Sequence, residues 1–599
     1  MVRAHAATLL FVMICSGKPA PLLAMELPAP KSSPDTSPDS ESSYDVLIRS
    51  GRIVDGSGNP WFYGDVGIRA DRIARITPAG RLKDAKAEHQ IDAKGLVVAP
   101  GFIDIQSQSR DALLDEDGRV ISKVTQGVTT EILGEGWTNA PANERTRAIS
   151  KGFNPSGSKE ATEFPGPHGF DQWLEAMRRH GGSVNFGSFV GSATVRAYIK
   201  GMAQGPPTPA ELETMRGLVR SAMEDGAFGL ASALIYPPDN FVGTEELIEL
   251  AKVMAPFGGV YISHIRSEAD TLLEAIDEAI EIGRKGGVPV EIYHLKAAGQ
   301  RNWDKARAAI DRIAAARALG LDVGADMYPY VGASTGLTSC LPPWAAADGK
   351  LFENLANPTL RAKIRNEVLS PTTDWENMGL LATPGGVLVL GLKKPENVQY
   401  AGKRLSEIAA AQKKPWVDAM MDLILSERQR IGTVYFLMNE ENVQLQMRQP
   451  WIKFGTDASG QNPDKDHDLV HPRAYGTYTR ILGKYVREDR IIPIEDAIRK
   501  MSSSVAARLS IRDRGLLREG FYADVVVFDP ETIGDRATFE KPHQVSVGVR
   551  DLLVNGVAVL RAGKHTGAKP GRIVRGPGYV DPREAHNAVP ASLEIRKAN

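Results

Sequence analysis

Two histidines and a late aspartate have the types and positions that catalytic chemistry needs. His264 ends the apolar run GVYISH, and His294 ends the run VEIYH in the next repeat along the chain. Asp326 ends the following run, and Asp457 ends WIKFGTD. A single histidine at a strand end is more often structural, but two at equivalent positions of adjacent units favour a shared site. Imidazoles and carboxylates gathered together are typical of a zinc site, where the metal acidifies a bound water and polarises a carbonyl.

The segments that carry these residues alternate between short buried strands and amphipathic helices. The alternation runs from VNFGSFVG, which starts at residue 184, to LDVGADMYPY, which ends at residue 330. This repeat predicts a parallel sheet, and the number of units favours a closed (β/α)8 barrel over an open doubly wound sheet. The active site of such a barrel lies at the carboxyl ends of its strands. No Gly-rich dinucleotide or phosphate loop follows these strands, which disfavours a nucleotide-binding fold.

Two β-rich stretches bracket the barrel sequence. Residues 44–97 and 506–570 alternate apolar and polar positions between turn residues, and together they predict one small β-sandwich domain formed by both ends of the chain. The barrel is assigned to residues 98–505. An irregular, proline-rich segment at about 341–398 is interpreted as an insertion over one end of the barrel.

The two ends of the chain differ from the domains between them. Residues 1–24 contain Arg3, a short apolar run and small residues, the layout of a secretory signal peptide, and the run is too short to span a bilayer. Residues 25–43 are rich in Pro, Ser and Asp and predict a disordered linker. Residues 571–599 have no clear period and are interpreted as a C-terminal extension. The sequence therefore predicts a secreted or periplasmic bacterial protein, with no membrane span after signal removal.

The charge balance and the cysteine count narrow the function classes. The chain has 72 basic and 73 acidic residues and a formal net charge of -1, which disfavours binding to nucleic acid or to a charged membrane surface. A small, near-neutral molecule fits this balance better. Only Cys340 remains once the signal peptide is removed, so no intramolecular disulfide is expected. The sequence gives no indication of the oligomeric state.

Six short motifs occur in the order found in the amidohydrolase superfamily. They are VVAPGFID (97–104), QGVTTEILG (126–134), SHIRSE (263–268), YHLKAAG (293–299), FGTDAS (454–459) and HPRAYGT (471–477). The last four resemble the N-acyl-D-amino-acid deacylases in particular, and the resemblance covers about residues 44–567. It implies a metal-dependent hydrolase of a small-molecule amide, with deacylation of N-acyl-D-amino acids as the expected reaction.

The resemblance also implies roles for individual residues. His264 and His294 match metal ligands, and Asp457 matches the general base that takes a proton from the attacking water and passes it to the leaving amine. A further set matches groups that bind the substrate carboxylate and polarise its carbonyl, because a guanidinium can hold a carboxylate by two bonds and a phenol can donate to an oxyanion. This set consists of Tyr236, Lys296, Tyr328, Ser334 and Arg473.

One departure from the superfamily pattern falls on the first barrel strand. Where the superfamily has a His-x-His pair, this chain has Gln106-Ser107-Gln108. A neutral amide is a far weaker zinc ligand than an imidazole. The metal position that Gln106 and Gln108 would serve is therefore predicted to be empty or loosely held.

A second departure concerns the thiolate ligand of the deacylases. Where they have Gly-Asn-Cys-Gly, this chain has Gly-Glu-Gly at positions 134–136, so that Gly136 stands at the cysteine position and Glu135 beside it. Glu135 is expected to take the place of the thiolate. It would complete a site of Glu135, His264 and His294 for one divalent metal ion, with zinc as the expected metal. Glu131, four residues earlier, is a rival ligand that is expected to point toward packing instead.

Two alternatives stay open beside deacylation of a linear amide. One is a hydrolase of cyclic amides or of dipeptide-like compounds on the same fold. The other is a catalytically inactive periplasmic barrel that binds a ligand without metal. The presence of both later histidines and of Asp457 favours an enzyme over a decayed barrel.

Overall fold

The computed structural model describes residues 43–153, 164–371 and 374–581. The predicted signal peptide lies outside these ranges, as do residues 25–42 of the predicted linker and residues 582–599. Within the described ranges, no helix combines the length and the apolar character needed to cross a membrane. Cys340 is a buried free cysteine, and burial raises the pKa of its thiol to about 12.

Strands and α-helices of the described ranges are numbered here in chain order. The strands are β1 (Ser43–Ile53), β2 (Phe62–Arg69), β3 (Arg72–Pro78), β4 (Lys86–Asp92), β5 (Val97–Pro100), β6 (Phe102–Asp104), β7 (Val128–Leu133), β8 (Asn185–Ser188), β9 (Val190–Gly191), β10 (Gly229–Ala233), β11 (Val260–His264), β12 (Val290–Ile292), β13 (Val323–Met327), β14 (Gly332–Gly336), β15 (Val387–Val389), β16 (Gly432–Phe436), β17 (Ile452–Phe454), β18 (Val525–Phe528), β19 (Val549–Val554), β20 (Val557–Arg561) and β21 (Lys564–His565). The helices are α1 (Arg110–Leu114), α2 (Ile121–Val124), α3 (Glu144–Phe153), α4 (Gly169–His180), α5 (Ser192–Lys200), α6 (Pro209–Glu224), α7 (Thr244–Met254), α8 (Leu272–Gly286), α9 (Lys305–Ala318), α10 (Leu351–Ala356), α11 (Pro358–Val368), α12 (Met378–Leu381), α13 (Leu405–Gln412), α14 (Trp416–Glu427), α15 (Glu440–Met447), α16 (Arg473–Arg480), α17 (Ile494–Met501) and α18 (Ser503–Arg508).

Parallel strands form a closed barrel in the middle of the chain. β6, β7 and β8 pair in that order, and β9, β10, β11, β12, β13 and β17 pair in that order. One residue separates β8 from β9, so they form two parts of one strand position, and the ring has eight positions. A parallel bridge between Ser107 and Ala458 closes the ring just beyond β6 and β17. The (β/α)8 barrel predicted from the sequence is confirmed.

The barrel strands are buried on both faces, which explains their apolar sequences. Every residue of β10, β11 and β13 is buried. Parallel strands need this cover, and the helices between them supply it. Helix α8, which connects β11 to β12, shows the matching pattern, because its buried residues recur at helical spacing. They include Leu272, Ala275, Ile276, Ala279 and Ile282.

The small β domain is one nine-stranded sheet built from both ends of the chain. Its order is β21-β20-β19-β18-β5-β1-β2-β3, and β4 pairs with β1. The long β1 pairs with β4 along its first half and with β5 at its end, and β18 joins the two halves by antiparallel pairing with β5. Side chains of both halves share one apolar core, which includes Ile48, Val66, Val98, Val525 and Leu553. The predicted small β domain of N- and C-terminal segments is confirmed.

A third unit lies between β13 and β17. β14, β16 and β15 form a small antiparallel sheet, and this sheet and α10 to α14 have an apolar core of their own. The sequence predicts an irregular insertion at about 341–398, whereas this unit extends over residues 332–436. Its first strand has the sequence GASTG, whose small residues give a weak strand signal. The predicted start of the insertion is therefore too late in the chain.

The described part of the C-terminal extension lies against the barrel. The Phe186 N–H donates to the Arg572 carbonyl at 3.0 Å, and the Val574 N–H donates to the Phe186 carbonyl at 2.7 Å. Residues near 573 thus add a short parallel bridge to β8. A single bridge leaves no periodic pattern in the sequence, which is why these residues read as an extension without structure of their own.

Candidate active site

Three side-chain atoms converge at the carboxyl ends of the barrel strands. His264 Nδ1 lies 3.0 Å from His294 Nε2, and Glu135 Oε1 lies 3.4 Å from the first nitrogen and 3.2 Å from the second. In the described ranges, these residues form the one group of three His, Cys, Asp or Glu side chains placed to hold a metal ion. We call Glu135, His264 and His294 the ligand triad.

The spacing of the ligand triad fits a tetrahedral metal ion. Ligands at about 2.0–2.1 Å from a tetrahedral zinc ion lie about 3.3–3.4 Å from one another, close to the three distances observed here. Two histidines and one carboxylate are also the composition of known catalytic zinc sites. The donor set therefore fits a single divalent ion.

Glu135 and His294 shift one another's pKa values. Burial opposes ionisation of Glu135, but bonds to both histidines hold the pKa of its carboxyl well below its usual range. Burial and the Lys296 charge oppose protonation of His294, but Glu268 and Glu135 outweigh them and raise its pKa well above its usual range. Because a metal ion and a proton compete for the same atoms, metal binding at the ligand triad is expected to weaken as the pH falls.

The backbone at His294 is held in an uncommon conformation. His294 has a φ of +32°, a positive value that is uncommon for residues other than glycine. Its N–H donates to Asp326 Oδ1 at 2.8 Å, and burial raises the pKa of that carboxyl well above its usual range. Backbone strain of this kind persists only where the surroundings fix it and is common at functional sites. Asp326, at a strand end in the sequence, thus positions a ligand rather than binding metal.

Glu268 contacts the outer ring nitrogen of His294 and lies near that of His264. Its Oε1 lies 2.9 Å from His294 Nδ1 and also accepts a hydrogen bond from Lys296 Nζ, while its Oε2 lies 3.8 Å from His264 Nε2. A carboxylate on the outer nitrogen of a ligating histidine fixes the ring so that the inner nitrogen faces the metal. The sequence reading missed Glu268, although it stands in SHIRSE four residues after His264.

The loop that carries Glu135 leaves no space for a side chain on either neighbouring residue. Gly134 and Gly136 have φ values of +114° and +64°. A Cβ on Gly136 would lie 2.7 Å from the Ala233 Cβ, and one on Gly134 would lie 2.4 Å from the Phe189 carbonyl oxygen. The family's cysteine could not occupy position 136 in this loop. The same tight turn directs Glu135 into the barrel mouth.

The rival carboxylate Glu131 faces a different group. It is fully buried in β7, and its Oε1 lies 3.4 Å from Lys123 Nζ. Lys123 Nζ also lies 2.7 Å from Asp104 Oδ2 and donates to Thr456 Oγ1 at 2.7 Å. Glu131 is therefore part of a buried ion cluster beside the barrel wall and not part of the ligand triad.

Gln106 and Gln108, which follow the first barrel strand β6, contact the carboxylate of the ligand triad. Gln106 Nε2 and Gln108 Nε2 donate to Glu135 Oε2 at 2.6 and 2.7 Å. Gln108 Nε2 also donates to Asp457 Oδ1 at 3.3 Å. Two amide groups thus lie at the metal position that is predicted to be empty or to hold its metal ion loosely.

Asp457 lies next to the ligand triad and is held by the neighbouring segment that follows β6. Its N–H donates to the Gln106 carbonyl at 2.8 Å, and its backbone φ is +48°. Its Oδ2 lies 2.8 Å from Arg473 NH1. Burial raises the pKa of this carboxyl, and the Arg473 charge opposes that rise. A partly desolvated carboxylate with a raised pKa is a better proton acceptor than an exposed one.

Arg473 and Tyr328 form a stacked pair on the same side of the mouth. The guanidinium carbon lies 4.6 Å from the centre of the Tyr328 ring. Arg473 NH2 donates to the Ser334 carbonyl at 3.3 Å, and Arg473 Nε is buried without a hydrogen-bond partner. Ser334 is predicted to bind substrate, and in the structure its backbone oxygen orients the guanidinium of Arg473. The free Nε gives the guanidinium capacity to bind one more acceptor.

The remaining predicted residues also lie at the mouth. The Tyr236 ring lies 5.2 Å from the His264 ring, and the Tyr328 ring lies 6.3 Å from the His294 ring. Lys296 Nζ lies 2.9 Å from His294 Nδ1 and is paired with Glu268. The structure thus brings every predicted site residue into one connected group around the ligand triad.

The fold and the site have the features of an amidohydrolase, and residues 393–560 match the model of the Amidohydrolase family. A D-aminoacylase from Alcaligenes xylosoxydans xylosoxydans is 34% identical over 535 residues, which are 89% of this chain and 97% of that protein. The chain belongs to the N-acyl-D-amino-acid deacylase family, as the sequence motifs indicate.

Two solved structures agree with this assignment. One is a D-aminoacylase with a binuclear metal centre, in which one metal activates and the second metal attenuates. It matches with a TM-score of 0.75 and 32% identity over 89% of this chain and all of that one. An N-acyl-D-glutamate deacylase from Bordetella bronchiseptica, complexed with zinc and a phosphonate inhibitor, matches with a TM-score of 0.73 and 31% identity over the same shares.

Proposed function

We propose that this chain hydrolyses the amide bond of N-acyl-D-amino acids with one divalent metal ion, zinc being the expected one. The observation that carries the proposal is the convergence of Glu135, His264 and His294 beside Asp457. The relatives named above are a D-aminoacylase and a zinc-containing N-acyl-D-glutamate deacylase, which supports both the reaction and the metal. The enzyme is an amidohydrolase that acts on carbon–nitrogen bonds other than peptide bonds.

Asp457 is the residue that moves the proton in this reaction. A metal ion in the ligand triad supplies Lewis-acid activation of water and of the amide carbonyl. Asp457 accepts the proton that the water loses as its oxygen bonds to the carbonyl carbon. When the carbon–nitrogen bond breaks, Asp457 returns that proton to the leaving nitrogen. The products are the free carboxylic acid and the D-amino acid.

Arg473 is the group proposed to bind the substrate carboxylate. Its buried guanidinium has an unpartnered Nε, and a charged bidentate pair with a carboxylate is among the strongest hydrogen-bonded contacts. The same guanidinium lies 2.8 Å from Asp457 Oδ2. A bound carboxylate shares this cation, which weakens its hold on Asp457 and leaves the base more basic when substrate is present.

The aromatic and cationic neighbours complete the proposed site. Tyr328 stacks on Arg473 and fixes the plane of the guanidinium. Tyr236 packs against His264, where its hydroxyl can donate to the oxyanion that forms on the amide carbonyl. Lys296 is paired with Glu268, so its charge acts on the site chiefly by balancing that carboxylate.

Metal content and substrate range together test the proposed function. The purified chain is expected to contain about one zinc per molecule and to hydrolyse N-acetyl-D-amino acids faster than their L forms. Chelation should remove metal and activity together, and zinc should restore both. Faster turnover of hydantoins or dipeptides would replace the proposal with a cyclic-amide or dipeptide hydrolase. A metal-free chain that binds N-acetyl-D-amino acids without turnover would make it a binding protein.

We also propose that the chain acts outside the cytoplasm of its bacterial host. Support comes from the signal-peptide pattern of residues 1–24, which lie outside the described residues. Fractionation of cells that express the full chain should find the mature protein in the periplasm or medium, shortened at its N-terminus. A full-length protein confined to the cytoplasm would contradict the proposal.

A further inference from the structure

Gln106 and Gln108 both contact the carboxylate of Glu135. The two oxygens of Glu135 have separate partners: Oε1 faces His264 and His294, while Oε2 accepts from both glutamine amides at 2.6 and 2.7 Å. A carboxylate ligand that binds through one oxygen needs its other oxygen held in place. These two amides supply that support.

We propose that the Gln106 and Gln108 amides act as positioning residues that fix Glu135 as a one-oxygen ligand and close the second-metal position. The inference rests on the proposed function, because it concerns the metal ion that the ligand triad holds. It makes two claims about this chain. The site takes one metal ion even when metal is in excess, and the two amides strengthen the binding of that ion.

The polarity of the amides excludes a second cation. Each amide turns its NH2 group toward Glu135, and Gln108 Nε2 also reaches Asp457 Oδ1. A cation there would meet N–H donors instead of lone pairs. Turning an amide around would break its hydrogen bond to Glu135 Oε2 and offer a cation only a neutral amide oxygen, which is a weak ligand for zinc. Gln106 keeps its nitrogen toward Glu135 even though its Oε1 is left buried without a partner.

The backbone around the glutamines is fixed by the closure of the barrel. The Gln106 carbonyl accepts the Asp457 N–H at 2.8 Å, and Ser107 forms the bridge to Ala458 that joins the first and last strands. A Cβ on Gly455 would lie 3.0 Å from the Gln106 Cβ, so the last strand packs closely on this side chain. Gln106 is 1% exposed. The amides are thus presented from a rigid part of the fold.

Zinc binding to the metal-free protein tests the positioning role. Gln106→Leu and Gln108→Leu remove the donors while keeping side-chain size, and each is expected to weaken zinc binding by about 10- to 100-fold. Competition with a chromophoric chelator measures the affinity, and the visible spectrum of the cobalt-substituted protein reports the ligand geometry. Gln399→Leu, at an exposed glutamine far along the chain, is the matched control and should leave both readouts unchanged.

Metal stoichiometry tests the exclusion role. The unmodified protein is expected to bind one zinc equivalent in a titration to tenfold excess, and the Gln106→His/Gln108→His double variant is expected to bind two. Zinc affinities within twofold of the unmodified protein in both leucine variants, or a second zinc bound by the unmodified protein, would overturn the inference. If turnover nevertheless requires one zinc, the inference about the glutamines fails and the proposed function stands. If no zinc binds at all, the inference and the proposed function both fail. Circular dichroism of each variant confirms that it is folded.

Discussion

Two groups of buried charge lie at different levels of the same two barrel strands. Glu291 and Lys453 are the central residues of β12 and β17. Glu291 accepts from Lys453 Nζ through both oxygens at 2.9 Å, and its Oε2 lies 2.8 Å from Arg508 Nε. We call Glu291, Lys453 and Arg508 the basal charge group. Beyond the carboxyl ends of the same strands lie His294 and Asp457.

The difference between the two groups lies in what each side chain faces. In the basal charge group one carboxylate lies between two cations, so opposite charges meet and the group needs nothing else. In the ligand triad three acceptor atoms lie within 3.0–3.4 Å of one another. Acceptors at that distance repel unless a proton or a cation lies between them. The charges of the basal group are therefore balanced within the protein alone, whereas the ligand triad is balanced only when a proton or a cation is bound.

Removing one member of the ligand triad gives the largest expected effect on function. His264→Ala should release the metal and reduce hydrolysis to background, because two ligands cannot hold zinc as three do. The stability of the metal-free chain should change by only about 0.5–2 kcal/mol, the usual cost of a buried substitution. Zinc per chain, turnover and urea unfolding of chelated samples measure the three quantities. A His264→Ala protein that retains one tight zinc would remove the triad from the metal site.

A substitution of Asp457 tests whether proton transfer can be lost while metal binding is kept. Asp457→Asn is expected to lower kcat by about 10²- to 10⁴-fold, because an amide cannot accept the proton. Zinc content should stay the same, since Asp457 is not part of the ligand triad. Equal loss of zinc in Asp457→Asn and His264→Ala would show that the two residues share one role.

The basal charge group should respond in the opposite way. Glu291→Gln leaves Lys453 buried without its carboxylate partner and leaves Arg508 only its pair with the more exposed Asp322, so the free energy of unfolding is expected to fall by about 3–5 kcal/mol. Zinc per folded chain and kcat should not change. The control is Glu213→Gln, which breaks an exposed pair with Arg216 and should cost about 0–1 kcal/mol. A Glu291→Gln chain with unaltered stability but reduced zinc would reverse the comparison.

Most of the residues at the barrel mouth can be predicted from the sequence, because the barrel fixes where the ends of its strands lie. Strand-end residues of parallel units meet at one face, so His264, His294 and Asp457 are brought together by their place in the repeat. Glu135 follows from the family motif at its loop. The site residues that the motifs indicate are the ones that the structure brings together.

The contacts that distinguish this chain depend on side-chain direction, which no spacing rule supplies. Gln106 and Glu135 are 29 residues apart and meet only because β6 pairs with β7. Glu268 reaches His294 across neighbouring strand ends, and its position in SHIRSE gives no sign of that contact. The unit at residues 332–436 is misjudged for a different reason, because its first strand consists of small residues with weak strand preference.

The pH dependence of turnover gives the smallest effect and the sharpest test of the mouth. Burial raises the pKa of Asp457, and Arg473 opposes that rise. The base must be ionised, so kcat/KM should be full above this pKa and fall as the pH drops through it. The acid limb is therefore expected above the ordinary aspartate value of about 3.9.

Replacing Arg473 sharpens that pH test. Arg473→Met removes the charge that lowers the pKa of Asp457, so the limb should move to higher pH by about one to three units. The position of the limb is compared, since its height also reflects weaker substrate binding. Zinc content measured at each pH separates this titration from metal loss. A limb at the same pH in both proteins would mean that a group other than Asp457 controls it.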